Sequence, residues 1–364
     1  MESATAQIVE SVKSAQLEPV KVRAFQTQDA RAWDTLVANQ ASATFCHKSG
    51  WGRVVESVWK HPAHHLLAER GSEVTGILPL FHVKSRLFGS MLVSSPNAVY
   101  GGAVAKDQAS AEALIAEAKK IATSLQVDFL ELRDAFETEA TDTDLHRKDL
   151  YFTFAHPIST DEEALMKTFP RDIRTMIRKG IKNELTAQLG REELLDEFYE
   201  VYATSVHHLG TPVFPKKLFA TFLCEFPNES DILLIRQGDK VAGGVLNFYF
   251  RDTVMPYYGG AYGEFYRAGI NNYMYWALMQ SAAGRGYTRF DFGRSKNGTG
   301  AFDFKRGWGM EMKALPYQFY LVKAREMPNL NPTNPKYEMM INLWKKLPFG
   351  VTKIIGPALV KNFP

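Results

Sequence analysis

The densest run of chemically useful residues lies between Phe290 and Lys305. Phe290-Asp291-Phe292 leads into Gly293-Arg294-Ser295-Lys296-Asn297-Gly298-Thr299-Gly300, three glycines and two cations in eight residues. Glycines let a backbone approach a ligand, and their amides can form an anion nest, here from Gly293, Gly298 and Gly300. Such a loop suits an anionic ligand, or an oxyanion that develops during a reaction and needs a hydrogen-bond donor or cation to hold it. Arg294, Lys296 and Lys305 are the candidate cations. Asp291 is open to two roles: general base, or acceptor for the amides of its own turn, as short carboxylates commonly act. If Phe302 to Lys305 is a strand, alternation puts Phe302 and Phe304 on one face and Asp303 and Lys305 on the other.

A second basic element is Phe169-Pro170-Arg171-Asp172-Ile173-Arg174-Thr175-Met176-Ile177-Arg178-Lys179. Proline suits a helix start. Arg171, Arg174, Arg178 and Lys182 then share one stripe, and Ile173, Ile177 and Ile181 another. Residues 167–182 carry six cations and one acid. The stripe fits a polyphosphate, a nucleotide-linked precursor or an RNA backbone, because arginine pairs bidentately with phosphate. A solvated helix face is the plainer alternative.

The elements that must position these residues occur twice. EVTGILPLF, AVYGGAVA, ASAEALIAEAKKIATSL and VDFLELRD are answered in order by KVAGGVLNFYF, MPYYGGAYG, AGINNYMYWALMQSAAGRG and YTRFDFGR. Tyr100-Gly101-Gly102-Ala103 matches Tyr258-Gly259-Gly260-Ala261, and both tyrosines are candidates for lining a cleft. Each unit reads strand, strand, helix, strand. Ile77–Val83 is a short apolar run broken by Pro79, and Val245–Phe250 is β-branched and aromatic. Leu114, Ala118, Ile121, Ala122 and Leu125 recur at helical spacing. The strand–helix–strand step favours a parallel pair, so the fold class is α/β with a mixed sheet, built by internal duplication. A helix precedes each unit, over Trp51–Trp59 and over Glu192–Leu209. The domains run 20–157 and 158–325, with a proline- and asparagine-rich linker and a basic, apolar tail over 326–364. The first copy has Leu132-Arg133-Asp134-Ala135 where the second has Phe292-Gly293-Arg294-Ser295, so only the second should be catalytic.

Composition narrows the function classes. With 45% apolar or aromatic residues and 23% charged, the 364-residue chain can bury two cores. A net charge of +3 is too mild to demand nucleic acid or membrane, and DNA is not expected. Two cysteines, Cys46 and Cys224, exclude a disulfide scaffold and a multi-cysteine zinc site, and both read as buried small hydrophobes. The N-terminus lacks the pattern of a secretory signal, which places the chain in the cytoplasm, at most peripheral to the inner face of the plasma membrane.

FCHKSGWGRVV, GILPLFHVKSRLFGS, YGGA and LELRD in the first half, with FPRDIRTMIRKGIKN, HHLGTPVFPKKLF and RFDFGRSKNGTGAFDFKRGWG in the second, resemble the FemAB-like proteins that accompany exosortase (PEP-CTERM) and exopolysaccharide gene sets. The match runs from about 20 to 350. The resemblance implies two tandem GNAT-like acyltransferase domains of the BioF2-like acetyltransferase kind. Better-studied relatives join amino acids from aminoacyl-tRNA to the peptide of a cell-wall precursor. In them a lysine matching Lys305 lies in the donor channel, and an arginine matching Arg174 binds the nucleotide-linked precursor. The expected activity is acyl or aminoacyl transfer to an amine of an envelope or exopolysaccharide precursor that is nucleotide- or lipid-linked. No cofactor is expected to be tightly bound, and the donor is aminoacyl-tRNA or acyl-CoA.

Other features weigh on the alternatives. An ordinary acyl-CoA site has a glycine-rich loop at a helix start, but Tyr266-Arg267-Ala268-Gly269-Ile270-Asn271 keeps one glycine of that pattern. This favours another donor, with acyl-CoA-dependent N-acetylation as the alternative and a non-catalytic scaffold of polysaccharide assembly as a third. Of the 45 aromatic residues, 20 lie within Val245–Tyr320, and most read as core. His61-Pro62-Ala63-His64-His65 has no acid or cysteine to complete a metal site, and no metal is expected. His207-His208 suits a helix C-terminus. The tail after Asn342 carries four lysines and no acid, and can dock on the fold or touch a membrane.

Overall fold

The computed structural model describes residues 18–85, 88–134, 143–328 and 335–362, without the side chains of 335–338. The N-terminal segment read for a signal, Ala135 and most of the 326–336 linker lie outside the described residues.

The first series comprises β1 Lys21–Ala24, α1 Ala30–Asn39, α2 Ser49–Trp59, β2 Leu66–Arg70, β3 Glu73–Leu78, β4 Phe81–Ser85, β5 Gly89–Val93, β6 Val104–Ala105, α3 Gln108–Ser124 and β7 Phe129–Arg133. Strand β8 (His146–Pro157) leads into the second: α4 Glu162–Thr168, α5 Arg171–Lys182, β9 Leu185–Gly190, α6 Leu195–Leu209, α7 Lys216–Glu225, β10 Ser230–Gln237, β11 Lys240–Phe250, β12 Thr253–Ala261, α8 Ile270–Gly284, β13 Arg289–Asp291, β14 Ser295–Lys296, α9 Gly300–Arg306 and β15 Glu311–Leu321. Two tail helices follow, α10 Pro335–Lys346 and α11 Phe349–Val360.

The helices form where the sequence signals them. Asp107 caps α3 by accepting the amide of Ser110, and Leu114, Ala118 and Ala122 are its buried stripe. Helix α2 buries Trp51, Val54, Val55 and Trp59 and stops at Lys60, which is left-handed with φ 59°. The reading of Glu192–Leu209 as one helix is nearly right: residues 192–194 are a 3-10 turn, and α6 runs from there to Gly210. Phe302–Lys305 is not a strand. Thr299 caps a helical turn by accepting the amide of Phe302, so Phe302 and Phe304 point to different sides.

The strands form a mixed α/β architecture. A four-stranded sheet runs β1-β2-β3-β6, and a larger one runs β4-β5-β7-β15-β8-β13-β12-β11-β10-β9, with β14 on β8. In the second series β11 and β12 are long, continuous and antiparallel. Their counterparts are broken. Pro79, with no N–H for a ladder, separates β3 from β4, and residues 94–103 separate β5 from β6. The apolar run Ile77–Val83 is therefore two strands in two sheets. Both series keep the parallel pair: β5 with β7, and β12 with β13. The last strand of each series is exchanged. Strand β8 pairs with β13, while β15 pairs with β7 and β8, so the two series share one continuous sheet.

The faces of this sheet carry different cores. One packs Phe45, Trp51, Phe198, Phe219, Phe222, Phe248 and Tyr258 together, and the other packs Phe154, Phe169, Ile177, Phe290, Phe292 and Trp308. Each such side chain contributes about 1.5–3 kcal/mol by leaving water. Most aromatics of the 245–320 stretch are here, as expected. Cys46 is buried, but Cys224 is exposed on α7, because Leu218, Phe222 and Leu223 define that helix's inner face.

Candidate active site

Strands β12 and β13 pair at Thr253–Arg289 and Val254–Phe290. Beyond these pairs the 94–103 loop of the first series wedges in. The Val99 amide donates to the Tyr257 hydroxyl (2.9 Å), which donates to Asn97 O (3.2 Å). Asn97 and Ser95 hold φ of 60° and 48°, a left-handed backbone unusual for non-glycine residues. Tyr100 donates its phenol proton to Asp291 Oδ2 at 2.7 Å, joining the two series at the end of β13.

Asp291 has further partners. Its Oδ1 accepts from the Thr153 hydroxyl (2.5 Å) and from the Gly293 amide (2.8 Å). The turn-orienting role is therefore built in, and Gly293 permits it with φ 65°. From the other side, Lys305 Nζ donates to the carbonyls of Phe292 (2.7 Å), Gly293 (3.2 Å) and Arg294 (3.2 Å). An ammonium has three N–H donors, and three carbonyls take them. Burial pulls the lysine down to about 8, against the Asp291 charge, which raises it. The turn 292–294 is thus gripped at its amide by a carboxylate and at its carbonyls by a lysine.

Arg294 runs inward. Its guanidinium lies over the rings of Tyr151 (4.8 Å) and Tyr317 (5.7 Å) and donates to the Tyr317 hydroxyl, which donates to Val99 O. Lys296, on β14 beside β8, is pulled down to about 8 by burial and by the charges of Lys148 and Arg294. The rest of the loop is more ordinary. The Asn297 amide bonds Leu150 O, the Phe302 amide bonds Thr299, and Gly298 and Gly300 have no close neighbours. Of the three glycines proposed as a nest, Gly293 alone faces packed protein, with Val99 3.5 Å from where a Cβ would sit.

A cavity of about 250 Å³ opens at Asp291, between the two series. Tyr100, Thr153 and Asp291 line it, with Phe45 and Phe248 as apolar wall and Arg251, Arg289 and Lys313 as cations. Burial and the adjoining Asp291 charge keep the Tyr100 hydroxyl protonated. Tyr258 does not line this cavity. A β-bulge makes Tyr257 the extra residue opposite Leu246 and Asn247, and Tyr258 is buried against Tyr202, Phe214 and Phe219. The bulge thus turns Tyr257 toward the 94–103 loop and leaves Tyr258, the cleft candidate of the repeat, buried away from the cavity. Thr153, Tyr151 and Tyr317 were also missed. They come from exchanged strands, which local sequence does not reveal.

The basic stripe is on α5 as expected, with Arg171 and Arg178 exposed and Arg174 half-buried, donating to Phe169 O (3.2 Å). Ile173 and Ile177 are buried, but Ile181 is 51% exposed, and it is Gly180 that continues the packed face of the helix. Helix α5 lies across the start of α8. A Cβ on Gly269 would sit 2.5 Å from Met176 O, and one on Gly180 would sit 2.6 Å from the Tyr273 Cβ. The glycine surviving from the acyl-CoA pattern is therefore spent on helix packing. Among the described residues no cluster of three His, Cys, Asp or Glu could hold a metal ion. His65 accepts from the Leu80 amide, and burial pulls it down to about 4. The His207 ring bonds Thr352 of α11.

Comparison with known proteins agrees with this architecture. Residues 167–306 match the acetyltransferase (GNAT) domain family. No curated protein sequence matches the chain. Among solved structures, FemX is similar at 15% identity and TM-score 0.64, over 88% of this chain and 100% of that one. The C-terminal domain of a protein named as a lysylphosphatidylglycerol synthetase, from Agrobacterium fabrum, has 13% identity and TM-score 0.55, over 80% and 92%. A tandem GNAT protein from the clavulanic acid biosynthesis pathway has 10% identity and TM-score 0.50, over 85% and 99%.

Proposed function

We propose that the acyltransferase whose GNAT domain spans residues 167–306 forms an amide, moving an acyl or aminoacyl group onto an amine of an envelope or exopolysaccharide precursor. One observation carries this reading. Asp291, where two parallel strands part, both lines a cavity with Tyr100 and holds the gripped turn 292–294 that follows it. A rigid turn at a parallel sheet's carboxyl edge is where an α/β scaffold presents groups to a ligand.

In this reading the amine enters the cavity and attacks the donor carbonyl. The carbonyl–nitrogen bond forms, the carbonyl–oxygen or carbonyl–sulfur bond of the donor breaks, and the amine proton leaves with the departing alcohol or thiol. Asp291 and Lys305 act as positioning residues that fix the turn. Lys305 touches a substrate only by releasing one of its three carbonyls. Arg171, Arg174 and Arg178 hold a phosphate of the donor or precursor.

Two donors remain, and two features favour aminoacyl-tRNA. Helix α5 crowds Gly269 at the start of α8, and the cationic stripe lies on that same helix. The exosortase or exopolysaccharide setting belongs to the same proposal and rests on the sequence resemblance. The test offers the purified chain a charged tRNA pool and, separately, a panel of acyl-CoAs. Consumption of a charged tRNA supports the reading, and consumption of an acyl-CoA alone assigns the other donor. Mass spectrometry of envelope precursors with and without the protein identifies the acceptor. Inertness toward every donor, with no mass change in any precursor, defeats the proposal and leaves the scaffold role.

A further inference from the structure

The two tail helices carry a feature that the transfer site does not use. Helices α10 and α11 both pack on α6, and the docking is specific. Trp344, Thr352, Gly356 and Val360 face inward, Thr352 bonds His207, and Gly356 lies so close to Val213 that a Cβ would sit 2.9 Å from it. The tail is therefore part of the fold, which settles that half of the sequence question.

The outward side is apolar. On α11, Val351, Ile354 and Ile355 recur at spacings of three and four and are exposed, Ile354 by 78%. On α10, Met339, Met340 and Leu343 are exposed, and Leu209, at the end of α6, is exposed by 66%. Elsewhere exposed large apolar side chains are scattered singly, which is normal for a protein surface. Six together on one docked helix pair, with Leu209 of α6 exposed as well, are not. Lys345 and Lys346 are exposed at the end of α10 and Lys361 just after α11, and from Asn342 onward there is no acidic residue.

We infer that the outer face of α10 and α11 docks the protein on an anionic lipid surface. Apolar side chains at helical spacing, accompanied by lysines and with no acid after Glu338, are the pattern of a helix lying in a bilayer interface. The lysines decide between occupants. A second copy of this chain would bring its own lysines against them, whereas anionic headgroups complement them. Among the described residues no helix is long and apolar enough to cross a membrane, so the contact is peripheral.

The test is co-sedimentation of the full chain with vesicles of phosphatidylcholine alone and of equal parts phosphatidylcholine and phosphatidylglycerol. Binding to the anionic vesicles, weak binding to the neutral ones and release by added salt are expected. Ile354→Ser with Ile355→Ser should weaken partitioning about tenfold or more. Lys345→Ala with Lys346→Ala should remove the preference for phosphatidylglycerol. All four positions are exposed, so thermal unfolding should not change. No binding to anionic vesicles, equal binding to both kinds, or indifference to the isoleucine pair overturns the inference. So does a dimer in sedimentation equilibrium that the isoleucine pair dissociates. Each result is independent of whether the chain consumes a charged tRNA.

Discussion

The ends of β7 and β13 are the same place in two copies of one motif, and they are filled differently. At β7, Arg133 donates to Glu131 (2.9 Å) and to the carbonyls of Ser95 and Ala98, all buried. Asp134 is buried beside Gly102, accepts from Gln318 (3.1 Å), and is pushed up to about 7 by burial. At β13, Asp291 and Lys305 clamp a glycine turn, and Asp291 also lines a cavity. The two arginines converge, with Arg133 and Arg294 5.9 Å and 5.7 Å from the Tyr317 ring centre. The first copy uses its charges to close its strand end and to anchor the 94–103 loop. The second uses them to fix a turn at the end of β13, next to the carboxylate that lines the cavity. The two copies share a frame, and glycine at 293 permits the φ of 65° that the second copy's turn requires.

The largest expected effect tests the closed end. Arg133→Met leaves Glu131 buried without its partner and should cost about 3–5 kcal/mol in urea unfolding. A negligible loss would mean that the first copy is not held by this pair. Next is the clamp. Lys305→Met strips three carbonyls of their donor and should cost about 3 kcal/mol. It should also slow transfer about a hundredfold, measured per folded molecule. Full activity in a stable Lys305→Met protein would break the distinction between the two ends. Tyr100→Phe removes one hydrogen bond between the copies. It should cost about 1 kcal/mol and reduce kcat more than it changes KM.

Proton linkage should separate the ends further. Asp134 binds its proton more tightly folded than unfolded, so its contribution is present at low pH and is lost as pH rises from about 4 to about 7. Asp134→Asn should flatten that part of the stability curve. Lys305 is displaced the other way: folded, it gives up its proton near 8 rather than 10.5, so its unfavourable contribution fades as pH rises between those values. A neutral amine donates two N–H groups, not three, so transfer should decline above pH about 8 as the clamp loosens, and Lys305→Arg should abolish that decline. The smallest stability effect belongs to Arg174→Ala, within about 0.5 kcal/mol because the side chain is half-exposed. Its mark should be a raised KM for the phosphate-bearing substrate.

Local order determined much of this protein. The echo of YGGA and of the strand–helix–strand run gave the mixed α/β class, because periodicity and turn residues act over a few positions. The same locality made Asp291 and Gly293 readable as a turn and placed the α5 stripe. It failed where partners are distant. Phe302–Lys305 alternates like a strand, yet Thr299 caps it into a helix, and that helix aims Lys305 at three carbonyls 11 to 13 residues upstream. A bulge turned Tyr257 toward the 94–103 loop and left Tyr258, the cleft candidate of the repeat, buried away from the cavity. The exchange of β8 and β15 brought Thr153, Tyr151 and Tyr317 to the site. Each of these was decided by a pairing between segments far apart in the chain, and such pairings depend on how whole faces pack.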